Sequence, residues 1–164
     1  MKPDAVDRIL EQWQRERPDL DASPMGLLGR MARLSKHLDR SIQATVAEFG
    51  LNPGEFDVLA TLRRSGSPYQ LSPTDLFNAL MVSSGTMTHR IDQLERAKWV
   101  RRIPDPGDRR GTLIALTDEG LELIERAVEA HVANGHKVLN ALKESERDVL
   151  MLLLRKLLLS FEQK

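Results

Sequence analysis

The chain has 164 residues, enough for one domain with a sizeable core or one domain with helical extensions. Lys and Arg number 24 and so do Asp and Glu, so the formal net charge is zero and a nucleic-acid role requires a local basic patch. The absence of cysteine excludes disulfides, a thiol switch and Cys-ligated metal, and it suits a reducing cytoplasm.

Residues 3–17 predict a short helix, with Pro3 in the first turn and Val6, Ile9, Leu10 and Trp13 at helical spacing. Ser23, read as an N-cap before Pro24, opens a longer helix whose stripe runs Leu28, Met31, Ala32, Leu38, Ile42, Val46 and Phe49 and stops at Gly50. Asn52 through Glu55 spells a capping box before a helix carrying Phe56, Leu59 and Leu62. Ser72-Pro73-Thr74-Asp75 starts a short helix through Leu76 and Leu80. Ser83 and Ser84 can cap the next, which carries Met87, Ile91 and Leu94. The period then changes. Residues 99–103 and 112–116 read as strands, and residues 104–111, with two Pro and two Gly, read as the loop of a hairpin.

Thr117 caps a further helix with a heptad seam of Leu121, Ile124, Val128, His131, Gly135, Val138 and Leu142. The last helix, about 144–162, carries leucines around most of its circumference, so a partner chain is its natural cover. The longest apolar run, Val149 to Leu154, is too short to span a bilayer, and the charged N-terminal stretch does not read as a signal peptide. A cytoplasmic location with no membrane partner is therefore expected. The four histidines form no ligand cluster, and no nucleophile-and-base, P-loop or paired-carboxylate motif appears. Neither metal, cofactor nor catalysis is expected.

Residues 53–116 thus run helix, helix, helix, strand, loop, strand: a helix-turn-helix followed by a wing. The helix at 83–97 begins with Ser83, Ser84, Thr86, Thr88, His89 and Arg90, residue types suited to base edges and phosphates in a major groove. The wing carries Arg109 and Arg110, suited to a minor groove, with Asp108 placed to orient a guanidinium. From Arg90 to Arg110 seven cationic side chains face four carboxylates, which is the local basic patch that the neutral chain requires.

The run from Ser83 to Glu95, Val100-Arg101-Arg102, the stretch Asp105 to Gly111 and the Leu116-Thr117 exit resemble the MarR family of bacterial transcription regulators over roughly residues 25–160. The resemblance implies a mainly α fold with a small β-hairpin. It would comprise N-terminal helices over 1–50, a winged helix-turn-helix over 51–117 and C-terminal dimerisation helices over 118–164. A homodimer on a pseudo-palindromic operator follows. Two positions depart from the family pattern: Lys98 stands where Gly is usual and Lys143 where a Ser or Thr cap is usual.

Trp13, Asp57 and Arg90 further resemble the urate-responsive branch of that family, typified by PecS and HucR. There the matching residues line a pocket for a planar anionic purine. Arg90 would pair with an anionic ring oxygen, Trp13 would offer a face or an N–H, and a bound anion would disturb an Asp57–Arg90 pair. The expected function is a repressor released from DNA by urate or a related purine. The alternatives are a regulator answering a phenolic or drug-like ligand, and an architectural DNA-binding protein, which the zero net charge disfavours.

Overall fold

The structure, a computed structural model, describes residues 2–80 and 84–162; of Ser84 and Arg109 it describes the backbone. The expected turn at Met81-Val82 and the expected cap Ser83 lie outside the described residues. The chain divides into two compact units, residues 1–43 and 44–164.

The first unit holds α1 (Ala5–Glu16) and most of α2 (Ser23–Ala47). Helix α1 starts after Pro3, because Asp4 is the cap. Its carboxylate accepts the N–H groups of Val6 and Asp7, and the Asp7 carboxylate accepts the N–H of Asp4. Arg30 on α2 binds both carboxylates, at 2.8 Å from Asp4 and 2.5 Å from Asp7, while Val6 is buried against Gly29. At the start of α2 the expected cap moves upstream. The helix begins at Ser23 itself, and Asp21 accepts the Ser23 N–H at 2.9 Å.

The second unit begins with the last turn of α2. It continues through α3 (Pro53–Arg64), β1 (Gln70–Leu71), α4 (Pro73–Leu80), α5 (Ser84–Arg96), β2 (Val100–Asp105), β3 (Asp108–Leu116), α6 (Asp118–Val138), a 3-10 turn (Leu139–Ala141) and α7 (Glu144–Glu162). The capping box at Asn52 and Glu55 forms with both bonds at 2.9 Å, and Ser72 and Thr117 cap α4 and α6. Leu59 and Leu62 of α3, Leu76 of α4, Met87, Ile91 and Leu94 of α5, Ile114 of β3 and Ile124 of α6 are all fully buried together with Val58 and Val100. This is the core on which the α4–α5 pair rests.

The antiparallel sheet has the order β1-β3-β2. Strand β1 was not expected, because two residues are too few to show an alternation; it pairs Gln70 with Ala115 and Leu71 with Ile114. The wing is also longer than its Pro and Gly content suggests. The eight-residue loop shrinks to Pro106-Gly107, since β2 runs to Asp105 and β3 starts at Asp108. Pro104 is tolerated because β2 lies at the sheet edge, and the ladder bulges between Pro104 and Asp105. The seam of α6 ends at Val138; Leu142 lies beyond the 3-10 turn in extended backbone. Helix α7 leaves its apolar side chains exposed in the single chain, with Leu152 61% and Leu153 60% accessible.

Two helices end in the same motif with different residues. At the end of α2 the Gly50 N–H reaches Ala47 O and the Leu51 N–H reaches Val46 O, with Gly50 at φ +72°. At the end of α5 the Lys98 N–H reaches Glu95 O and the Trp99 N–H reaches Leu94 O, with Lys98 at φ +63°. The departure from Gly noted in the sequence thus carries backbone strain. A left-handed conformation costs a residue with a Cβ about 1–2 kcal/mol, partly offset by the extra freedom glycine has when unfolded. Lys98→Gly is expected to raise the urea midpoint, by about 1 kcal/mol of stability; an unchanged or lower midpoint would show that the turn carries no such strain.

Candidate functional site

Helix α5 is amphipathic across its first three turns. Met87, Ile91 and Leu94 face the core at steps of four and three, so Gly85, Thr86, Thr88 and His89 face outward at the N-terminal end. Three of the expected DNA contacts, Thr86, Thr88 and His89, therefore share one exposed helix end. Arg110 is exposed on β3, and Arg109 precedes it on the same strand. Asp108 orients the wing through the backbone, its carboxylate accepting the Arg110 N–H at 2.9 Å. At the tip the Asp105 carboxylate accepts the Gly107 N–H at 2.8 Å.

A residue counted from the sequence only as part of the basic patch has a different part here. Arg102 on β2 reaches back to α5. Its Nη2 lies 2.6 Å from Asp92, its Nη1 donates to Glu95, and its backbone N–H donates to the same carboxylate at 3.3 Å. Asp92 first and then Glu95 hold this guanidinium protonated. Partly exposed pairs of this kind are worth about 0.2–1 kcal/mol each, so their effect is to fix the wing against α5 more than to stabilise the fold. The sequence showed only that Asp92 and Glu95 share one face of α5; which cation meets them depends on how β2 lies against the helix.

Arg90 points elsewhere. It lies on the flank of the buried stripe, half-buried, with its guanidinium over Gly54 in the first turn of α3. A Cβ on Gly54 would lie 2.5–2.8 Å from Nε, Cζ and Nη2, so only glycine leaves room for this placement. Nη1 of Arg90 is buried without a hydrogen-bond partner among the described residues. Asp57 follows Gly54 by three residues, on the same face of α3. Burial pushes the Asp57 carboxyl up from its ordinary value, opposed by the charges of Arg90 and then His131. His131 on α6 packs against Phe56, with the rings tilted by 38° and their centroids 4.9 Å apart, and its Nδ1 is likewise buried and unpartnered among the described residues. An unsatisfied buried polar group costs about 1–3 kcal/mol. A cation at a helix N-terminus also opposes the helix dipole.

The structure thus brings Asp57 and Arg90 together and adds His131, which sequence reasoning placed on the α6 seam without a role. Its signal was that it is the one polar side chain among the seam positions Leu121, Ile124, Val128, His131, Gly135, Val138 and Leu142. Trp13 lies on α1 in the first unit, 38% exposed. Among the described residues no group of three or more His, Asp and Glu could hold a metal ion, and no helix is long and apolar enough to cross a membrane.

The raised Asp57 value has a consequence for stability. The folded state holds this proton more tightly than the unfolded chain does. Stability from the site is therefore complete below the ordinary carboxylate value near 4 and is lost as pH rises through the folded value. Asp57→Asn removes that loss. It is expected to raise the melting temperature at pH 7, with the gain vanishing when the pH is lowered beneath the carboxylate range. A variant less stable at pH 7 would mean that the attraction of Arg90 and His131 outweighs burial.

Residues 51–112 match the MarR family model. The HTH-type transcriptional regulator PecS of Dickeya dadantii (strain 3937) is 48% identical over 149 residues, covering 91% of this chain and 90% of that protein. A crystal structure of a mutant MarR from E.coli complexed with operator DNA superposes with a TM-score of 0.71 at 26% identity, over 89% of this chain and 97% of that one. The Bordetella bronchiseptica regulator BpsR, solved for the regulation of its DNA binding by 6-hydroxynicotinic acid, superposes at 0.69 with 28% identity, over 79% and 90%.

Proposed function

The chain belongs to the MarR family of transcription regulators and is PecS-like over most of its length, and on that premise we propose that it is an effector-released repressor. Helix α5 enters the major groove of an operator with Ser84, Thr86, Thr88 and His89, Ser83 is a further expected contact, and Arg109 and Arg110 of the wing reach the adjacent minor groove. The observation that carries this reading is the outward N-terminal end of α5, tied to the wing by Arg102. A second copy of the chain supplies the other half-site of a pseudo-palindromic operator, with half-sites about 10 bp apart.

The effector is urate or a related planar anion. Arg90 takes its charged oxygen and Asp57 lies beside it, and the resemblance to the urate-responsive branch assigns the aromatic contact to Trp13. The unpartnered Arg90 Nη1 favours an anionic ligand, and the inward guanidinium supports the ligand role expected of Arg90 over its role on DNA. The ligand named for BpsR, 6-hydroxynicotinic acid, is also a planar aromatic acid.

Arg109→Ala and Arg110→Ala should each weaken operator affinity in a mobility-shift titration, by about 1–3 kcal/mol, with an unchanged circular dichroism spectrum. Urate should lower the wild-type affinity, and Trp13→Phe should blunt that response; a tenfold effect needs only about 1.4 kcal/mol of coupling. Operator binding indifferent to both wing arginines would refute the DNA reading. A response to salicylate and none to urate would replace the purine with a phenolic effector.

The exposed leucines of α7 motivate a further expectation. Sedimentation should give twice the chain mass at micromolar concentration, and Leu153→Glu, which puts a charge on that face, should shift the protein towards the single-chain mass. A folded wild-type monomer at micromolar concentration would overturn the dimer.

A further inference from the structure

His131 stands out among the histidines of this chain. Its ring is half-buried and packed at a 38° tilt on Phe56, 4.9 Å between centroids, so it sits where α6 meets α3. Its Nδ1 is buried and has no hydrogen-bond partner among the described residues. The same is true of Nη1 of Arg90, on a different helix. Both side chains lie against α3, His131 at Phe56, the residue before Asp57, and Arg90 at Gly54, three residues before it. Two buried nitrogens without partners, from α5 and α6, therefore belong to side chains packed against one short stretch of α3, residues 54–57. Native proteins satisfy nearly all such atoms, so a pair of exceptions in one place points to a missing binder.

The two nitrogens ask for different things. The guanidinium only donates and carries a fixed charge, so it selects an anionic oxygen. The imidazole nitrogen donates or accepts according to its tautomer, so it reads an N–H or a C=O. Asp57 brings oxygens to the same locality. A ligand that answers all three is planar, carries one delocalised negative charge, and presents a second polar edge.

We propose that His131 is a specificity-determining residue of the effector site, its Nδ1 reading a second polar edge of a planar anionic heterocycle whose charged oxygen is held by Arg90. This rests on the reading that the Asp57–Arg90 site binds the effector. It goes further by predicting which anions the site accepts. Urate has ring N–H and C=O groups on every edge. Salicylate offers its carboxylate and phenol on one edge and carbon elsewhere. His131 should therefore matter for the first and not for the second.

The experiment is isothermal titration of the full chain with urate and, separately, with salicylate, for the wild type, His131→Phe and His131→Gln. Phenylalanine keeps a flat ring against Phe56 and removes the nitrogen. Glutamine keeps a group that can donate or accept. The wild type is expected to bind urate at least tenfold more tightly than salicylate. His131→Phe should lose about tenfold on urate and nothing on salicylate, while His131→Gln should lose less. If His131→Phe binds urate as the wild type does, His131 is a packing residue and the inference is overturned. An equal loss for both ligands overturns it as well, because it reports a general disturbance of the site. If His131→Phe does not fold, His131→Gln carries the test: urate binding weakened with salicylate unchanged supports the inference, and any other pattern overturns it. A wild type that binds neither ligand brings down the effector reading itself and this inference with it.

Discussion

Two carbonyl oxygens at the end of α5 hold the DNA-reading lobe together. Thr117 donates its N–H to Trp99 O at 3.2 Å and its hydroxyl to Lys98 O at 2.7 Å, and the same hydroxyl oxygen accepts the Gly120 N–H at 2.9 Å. Gly120 is required because a Cβ there would lie 1.9 Å from Trp99 O. The end of α5, the start of β2, the end of β3 and the start of α6 thus meet within a few residues. Each satisfies backbone groups that the others would leave unpaired. Helix α5 cannot tilt without carrying the wing and the first turn of α6. Arg102, bonded to Asp92 and Glu95, repeats that restraint one turn further up α5.

Within this frame α5 has two working faces. Its outward N-terminal end presents Thr86, Thr88 and His89. Its inward flank sends Arg90 across Gly54 towards Asp57. Both follow from where the buried stripe falls. Met87 and Ile91 fix the rotation of the helix, and Arg90, next to Ile91, is left on the boundary between core and solvent. A long cation at such a boundary usually keeps its head in water. Here a nitrogen of the head is buried, and the missing Cβ at residue 54 makes the space.

The order of elements in the second unit was legible because strong local signals mark it. The Asn52 capping box, the Ser72 and Thr117 caps and the apolar stripe of α5 each depend on neighbours in sequence. The misses have equally physical causes. The wing strands extend through Pro104 because an edge position asks no ladder N–H of proline, and density of Pro and Gly cannot distinguish edge from centre. Strand β1 exists only through its pairing with β3, a non-local fact. Arg102 was visible as a charge, and its partners ten and seven residues upstream became visible only once α5 and β2 were set side by side. The site was partly legible. Asp57 and Arg90 came from a resemblance, and their proximity required the fold. His131 was hidden because its seam position explained it without any site, and only the unpartnered Nδ1 sets it apart.

The arrangement also bears on how a small ligand could move a recognition helix. Two unit charges 4 Å apart interact by about 4 kcal/mol at an effective dielectric of 20, so one new ion pair at Arg90 holds more energy than the 1.4 kcal/mol a tenfold change in DNA affinity requires. Energy is therefore not the limiting quantity. What matters is how much of it differs between the DNA-bound and released orientations of α5. A pliable site would take up the ligand by moving the Arg90 side chain alone. In this protein Gly54 leaves the space that the guanidinium occupies, and His131 packs on Phe56 of the same helix. At the far end of the helix the Lys98–Trp99 anchor admits movement only as part of a larger body. In the proposed mechanism the ligand thus acts on α5 and the wing as a unit, so the outward threonines and the wing arginines would leave their grooves together.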